Sequence, residues 1–128
     1  MRMRQQAMQL GMTVKLSRMN DPEYAGRTIP CISYSIPYNN VKTGQRWRIE
    51  RSLDDRWFGQ GDAVRLSSEQ LQGWGQKLDA LAPGILALES TSIAVALYWM
   101  EQGEESTVES LKLFLEQVKT VGLTGSIS

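Results

Sequence analysis

Apolar and polar residues alternate in the first half of the chain and recur every three or four residues in the second. Met12, Val14 and Leu16 alternate with Thr13, Lys15 and Ser17, the pattern of a strand with one buried face. Asn20-Asp21-Pro22 predicts a turn, because Asn and Asp bond their own backbone and Pro fixes φ. From Thr28 to Tyr38 the alternation returns, with Ile32, Tyr34 and Ile36 on one face and Cys31, Ser33 and Ser35 on the other. Pro30 and Pro37 cannot donate to a ladder, which predicts a short strand or one at a sheet edge. Residues 39–44, Asn-Asn-Val-Lys-Thr-Gly, predict a hairpin-type loop.

Gln45 to Leu53 predicts a third strand. Trp47, Ile49 and Arg51 point one way, and Arg46, Arg48 and Glu50 the other. After an Asp54-Asp55 turn, Trp57-Phe58 starts a fourth strand that Gly59-Gln60-Gly61 distorts into a bulge or tight loop and that Ala63 to Leu66 can resume. The stretch from Gln45 to Phe58 is the densest in the chain, with two of the four Trp and four of the nine Arg.

At Leu66 the period changes to that of helices. Ser67 followed by Gln70 makes a capping box, and Leu66 with Leu71 a hydrophobic staple. Leu71, Trp74, Leu78 and Leu81 form one apolar stripe. Gly73 and Gly75 each cost this helix about 1 kcal/mol relative to Ala, which suggests close packing beside Trp74. Pro83-Gly84 breaks the pattern. Ile85 to Gln102 is read as a helix, with Ile93 to Met100 as a buried strand left as the alternative. A second capping box, Ser106 to Glu109, opens a helix carrying Val108, Leu111, Phe114, Leu115, Val118 and Val121 and closing at Gly122. Residues 1–11 fit a short helix with Met3, Ala7 and Leu10 inward, or a loose tail; residues 123–128 fit a loose tail.

The expected fold is α+β: one domain over residues 1–128, with an N-terminal antiparallel meander of three to four strands (12–66) packed on three C-terminal helices (67–122). In element order alone, residues 28–82, with their Leu-Ser-Ser-Glu-Gln helix start, resemble the single-strand-binding Whirly and positive-cofactor proteins. That resemblance implies a nucleic-acid surface on the strands.

Charge divides the chain. Residues 1–65 hold eleven Lys/Arg against six Asp/Glu, net +5, and residues 66–128 hold three against eight, net −5. Either each half solvates its own face, or the basic half meets nucleic acid, an acidic protein or the acidic half of a second copy. The longest apolar run, eight residues, is far short of a membrane span, no signal-type segment opens the chain, and the single Cys31 fits a reducing compartment. These features lead us to expect a cytoplasmic protein that does not enter membranes.

The chain has no histidine, which removes the commonest general base and most zinc sites. Asp54-Asp55 and Glu104-Glu105 lie where turns need polar residues, and Cys31 reads as an inert buried thiol. No catalytic residue, metal or cofactor is expected. Binding remains. The expected function is a non-enzymatic protein-binding module, such as an adaptor, inhibitor or assembly subunit. It would use the basic sheet face of Lys42, Arg46, Arg48 and Arg56 together with Trp99, since one helix cannot easily bury both Tyr98 and Trp99. The alternative is a nucleic-acid-binding protein in which Lys42, Arg46, Arg48 and Arg56 hold phosphates while Trp57 stacks on a base.

Overall fold

A computed structural model describes residues 2–38 and 45–123 and is α+β. The helices are α1 (Arg2–Gln9), α2 (Ser68–Leu81) and α3 (Glu105–Val121), and the strands are β1 (Thr13–Asn20), β2 (Thr28–Pro37), β3 (Trp47–Arg51), β4 (Trp57–Gly61), β5 (Ile85–Ser90) and β6 (Ala94–Trp99). All six strands form one antiparallel sheet in the order β1-β2-β6-β5-β3-β4.

The sheet is three hairpins side by side, and the last hairpin in sequence is inserted between the first two. The expected N-terminal meander is therefore split: β2 pairs with β1 and β6, not with β3. Residues 85–102 do not form the favoured helix but the two central strands, joined by a turn in which the Thr91 hydroxyl accepts from the Ala94 amide at 3.2 Å. Ile85, Leu88, Val95, Leu97 and Trp99 are buried, and so are Leu86, Ala87 and Ala96 on the opposite face. Strands covered on both faces lose the alternation that marks a strand in sequence. Two helices, not three, follow the sheet-forming half, and the third lies at the N-terminus.

β2 is an interior strand despite its prolines. The β6 ladder starts at Ile32, beyond Pro30, and the β1 ladder starts at Ser35, short of Pro37. Each proline thus has a partner strand on one flank only, where its missing N–H costs no ladder bond.

The three helices pack on one sheet face. Trp74 and Leu78 of α2 and Val108, Leu111, Phe114, Leu115 and Val118 of α3 bury against Tyr34, Ile36, Trp47, Ile49 and Leu97. Each such side chain contributes about 1.5–3 kcal/mol. The Ser67 capping box forms as expected: its hydroxyl accepts from Gln70 N at 3.1 Å, and the Gln70 side chain accepts from Ser67 N at 2.8 Å. The second box is shifted, with Glu104 as N-cap donating its amide to the Thr107 hydroxyl at 3.2 Å. Residues 62–65 do not resume a strand. They form a 3₁₀ turn that folds back on β4, where the Ala63 carbonyl occupies the space a Cβ at Gly59 would need. The N-terminal segment is helical from Arg2 and buries Ala7.

Candidate functional site

The sheet's other face is not the open basic platform expected. β2 overhangs β6, and residues 28–31 with residues 17–20 of β1 form a two-stranded arm that pairs only with itself. This arm curls across the face. Met19 and Cys31 pack on Leu86 and Ala87 of β5, and the Asn20 amide donates to Glu50 of β3 at 3.3 Å.

Beneath the arm lies a closed charge network. Arg48 donates to Glu89 through Nη2 at 2.6 Å and Nε at 3.0 Å, and lies 3.5 Å from Glu50. Its guanidinium stands 5.4 Å from the Tyr98 ring centroid, and the Tyr98 hydroxyl donates to the other Glu89 oxygen at 2.7 Å. Burial first, and then the Glu89 hydrogen bond, push the Tyr98 phenol up to about 12. Arg48, expected to be available to a partner, is therefore neutralised within the chain.

The other predicted site residues disperse. Arg46 and Arg56 are exposed, Arg46 just before β3 and Arg56 just before β4. Lys42 lies outside the described residues. Trp57 is buried, with the Arg51 guanidinium 4.6 Å from its ring centroid and the Gly75 backbone against its edge. Trp99 is 0% exposed, in edge-on contact with Tyr34 at 5.4 Å. Neither tryptophan offers a ring to a base or a partner here, because β4 and β6 turn both toward the helices. Tyr98, its sequence neighbour, faces the opposite side and is half-buried there, so one strand covers each ring on a different face.

The opposite charges of the two halves meet inside the chain. Arg4–Glu101, Arg48–Glu89 and Arg51–Asp79 each join the basic half to the acidic half. Glu101 carries the tether of α1: Arg4 donates to it through Nη2 at 2.8 Å and Nε at 3.1 Å, and the Tyr34 hydroxyl donates at 2.8 Å. Glu101 has φ +53, a left-handed conformation that costs a non-glycine about 1 kcal/mol and that these three donors hold in place. Burial works against its ionisation, but the hydrogen bonds from Arg4 and Tyr34 outweigh it and lower the carboxyl below its ordinary range.

What sequence reasoning missed is the contrast between the sheet's two edges. The β4 edge is capped at Trp57: the Gln72 side chain of α2 accepts from Trp57 N at 3.3 Å and donates to Trp57 O at 3.1 Å, imitating one residue of a further strand. The 3₁₀ turn at 62–65 folds against Gly59, while Gln60 and Gly61 stay exposed. Among the described residues nothing pairs with the outer edge of β1, eight residues long. Leu16 on that edge is 79% exposed, although alternation placed it inward with Val14. Its face is the helix side of the sheet, but the helices stop short of it. A cleft of about 550 Å³ lies there, with Leu16, Pro30, Ile32 and Met100 as apolar lining and Arg4 and Glu101 at its wall. The signal available in sequence was the strand's position as the first in the chain with lysine and arginine on it, a common way to protect an edge.

Among the described residues no group of three or more Cys, Asp or Glu could hold a metal ion, and no helix is long and apolar enough to cross a membrane. Burial pushes the Cys31 thiol above its ordinary value, and the side chain is buried. Comparison with protein-family models, with curated proteins and with solved structures found no match to this chain.

Proposed function

We propose that this protein is a binding module that takes up an extended segment of a partner protein along β1. The observation that carries this reading is the difference between the edges: Gln72 caps β4 at Trp57, while the outer edge of the eight-residue β1 has no partner among the described residues. An added strand would satisfy those backbone groups, and side chains at alternate positions would supply selectivity. Opposite Leu16, an apolar side chain would reach the cleft beside Met100 and Ile32. Exposed Lys15 and Arg18 flank Leu16 on opposite faces of β1, so acidic residues at the facing positions complete the match. A second copy fits less well. Two β1 edges paired antiparallel keep their faces aligned, so pairing about Leu16 sets each Lys15 opposite Ser17 and diagonal to the other copy's Lys15, and like charges so placed repel.

The nucleic-acid reading retains Arg46 and Arg56 as exposed cations, without a stacking ring beside them. A photo-crosslinking residue placed at Leu16, and separately at Arg46, tests both readings in nuclease-treated and untreated lysate of the source cells. The expected result is nuclease-resistant adducts from position 16 to a short protein segment, lost on Lys15→Glu/Arg18→Glu substitution. Adducts to nucleic acid, or protein adducts from position 46 alone, would overturn the proposal.

A further inference from the structure

We infer that the β1–β2 arm is a lid over the sheet's concave face, hinged where the β6 ladder stops and able to open while the rest of the fold stays intact. Four observations lead there. Past Ile32 the arm has no ladder to any strand but its own partner. Among the described residues what holds it down is small: one side-chain hydrogen bond from Asn20 to Glu50, the 3.9 Å approach of Arg48 Nη1 to Met19 Sδ, and the packing of Met19, Cys31 and Ile29 on Leu86, Ala87 and Tyr98. The main core lies wholly on the other face and includes none of these contacts. At its tip the arm is separated from the β3–β4 turn by an open cleft of about 670 Å³ between Tyr24 and Arg27 on one side and Leu53 to Asp55 on the other.

Lifting the arm would cost those few contacts and leave the six-strand sheet and its helices in place. Segments with few buried apolar contacts open below the free energy of global unfolding. The opened face would carry Leu86, Ala87 and the Tyr98 ring beside the Glu50 and Glu89 carboxylates. The arm therefore conceals a second surface, on the opposite side of β1 from the cleft at Leu16.

Cys31 supplies the test. It is the chain's only cysteine, it is 4% exposed, and the arm carries it. Its rate of modification by a small thiol reagent, measured on the full chain across a range of urea below the unfolding transition, reports arm opening. The expected rate depends weakly on urea. Asn20→Ala should raise it about tenfold, the low end of what one hydrogen bond to a charged group commonly carries. Val118→Ala, on α3 in the main core, should leave the rate unchanged while lowering the global unfolding midpoint read by tryptophan fluorescence. If the rate instead follows global unfolding in its urea dependence, and Val118→Ala accelerates it, the arm does not open by itself. Immediate labelling of the native protein would also overturn the lid, since Cys31 would then be reached with the arm closed.

Discussion

The Asn20 side chain on β1 bonds the Glu50 carboxylate on β3 at 3.3 Å, although three strands lie between β1 and β3 in the sheet. In a flat sheet those strands would stand about 19 Å apart. The bond therefore records how far the sheet curls. That curl turns an expected basic platform into a concave face with its charges paired.

The pairing under the arm can be dissected. Glu89→Ala leaves Arg48 and Tyr98 without their acceptor and is expected to cost about 1.5–3 kcal/mol in urea denaturation. The double change Arg48→Met/Glu89→Leu should cost at least as much as Glu89→Ala alone, because it also takes the cation from the buried Glu50 carboxylate. The Tyr98 phenol titrates at about 12. With the folded value raised, its contribution is complete below the ordinary phenol range and lost as pH rises through 12. Glu89→Gln should bring that titration down, as read by ultraviolet difference absorbance.

The α1 tether runs in the opposite direction with pH. The Glu101 carboxyl is held below its ordinary value, so its stabilisation is present above the ordinary carboxylate range and is lost as pH falls through the depressed value. Arg4→Ala should remove much of this acid-side dependence. Amide exchange over residues 2–9, followed as pH is lowered, should accelerate in the parent chain and be fast throughout in the variant.

Two glycines in α2 predict opposite outcomes. A Cβ at Gly73 meets nothing within 4 Å, so Gly73→Ala should stabilise by about 0.5–1 kcal/mol. A Cβ at Gly75 would fall inside the Trp57 ring, so Gly75→Ala should destabilise by about 1–3 kcal/mol despite its better helix propensity. Thermal unfolding of the two variants decides this, and equal shifts would contradict the packing of Trp57 on α2.

At the open edge, Lys15 and Arg18 would bring like charges to any seam between two β1 edges, where they repel. Lys15→Val/Arg18→Val removes that repulsion and leaves Leu16 exposed between two β-branched residues. The variant should self-associate through β1 at concentrations where the parent is monodisperse by light scattering, and Ser17→Pro added to it should reverse the association.

The helices with one buried stripe were legible in the sequence. Leu71, Trp74 and Leu78, and Val108 to Val118, repeat at helical spacing because only one side of each helix meets the sheet. Strands β1 to β3 were legible because large apolar residues alternate there with polar or small ones, such as Ser33, Arg48 and Glu50, even where both faces are covered. Residues 85–99 were not, because burial on both faces erases the period that separates strand from helix. The sequence by itself determined which residues are apolar, where helix α2 begins, and that the two halves carry opposite charge. Only the tertiary structure decided that the last hairpin enters the sheet's centre, that Arg48 meets Glu89, and that among the described residues the outer edge of β1 has no partner while Gln72 caps the edge of β4 at Trp57. Those outcomes depend on which strands lie beside each other. Backbone hydrogen bonds of an antiparallel ladder are nearly the same for any neighbour, so strand order is settled by the joint packing of distant residues, which no local pattern records.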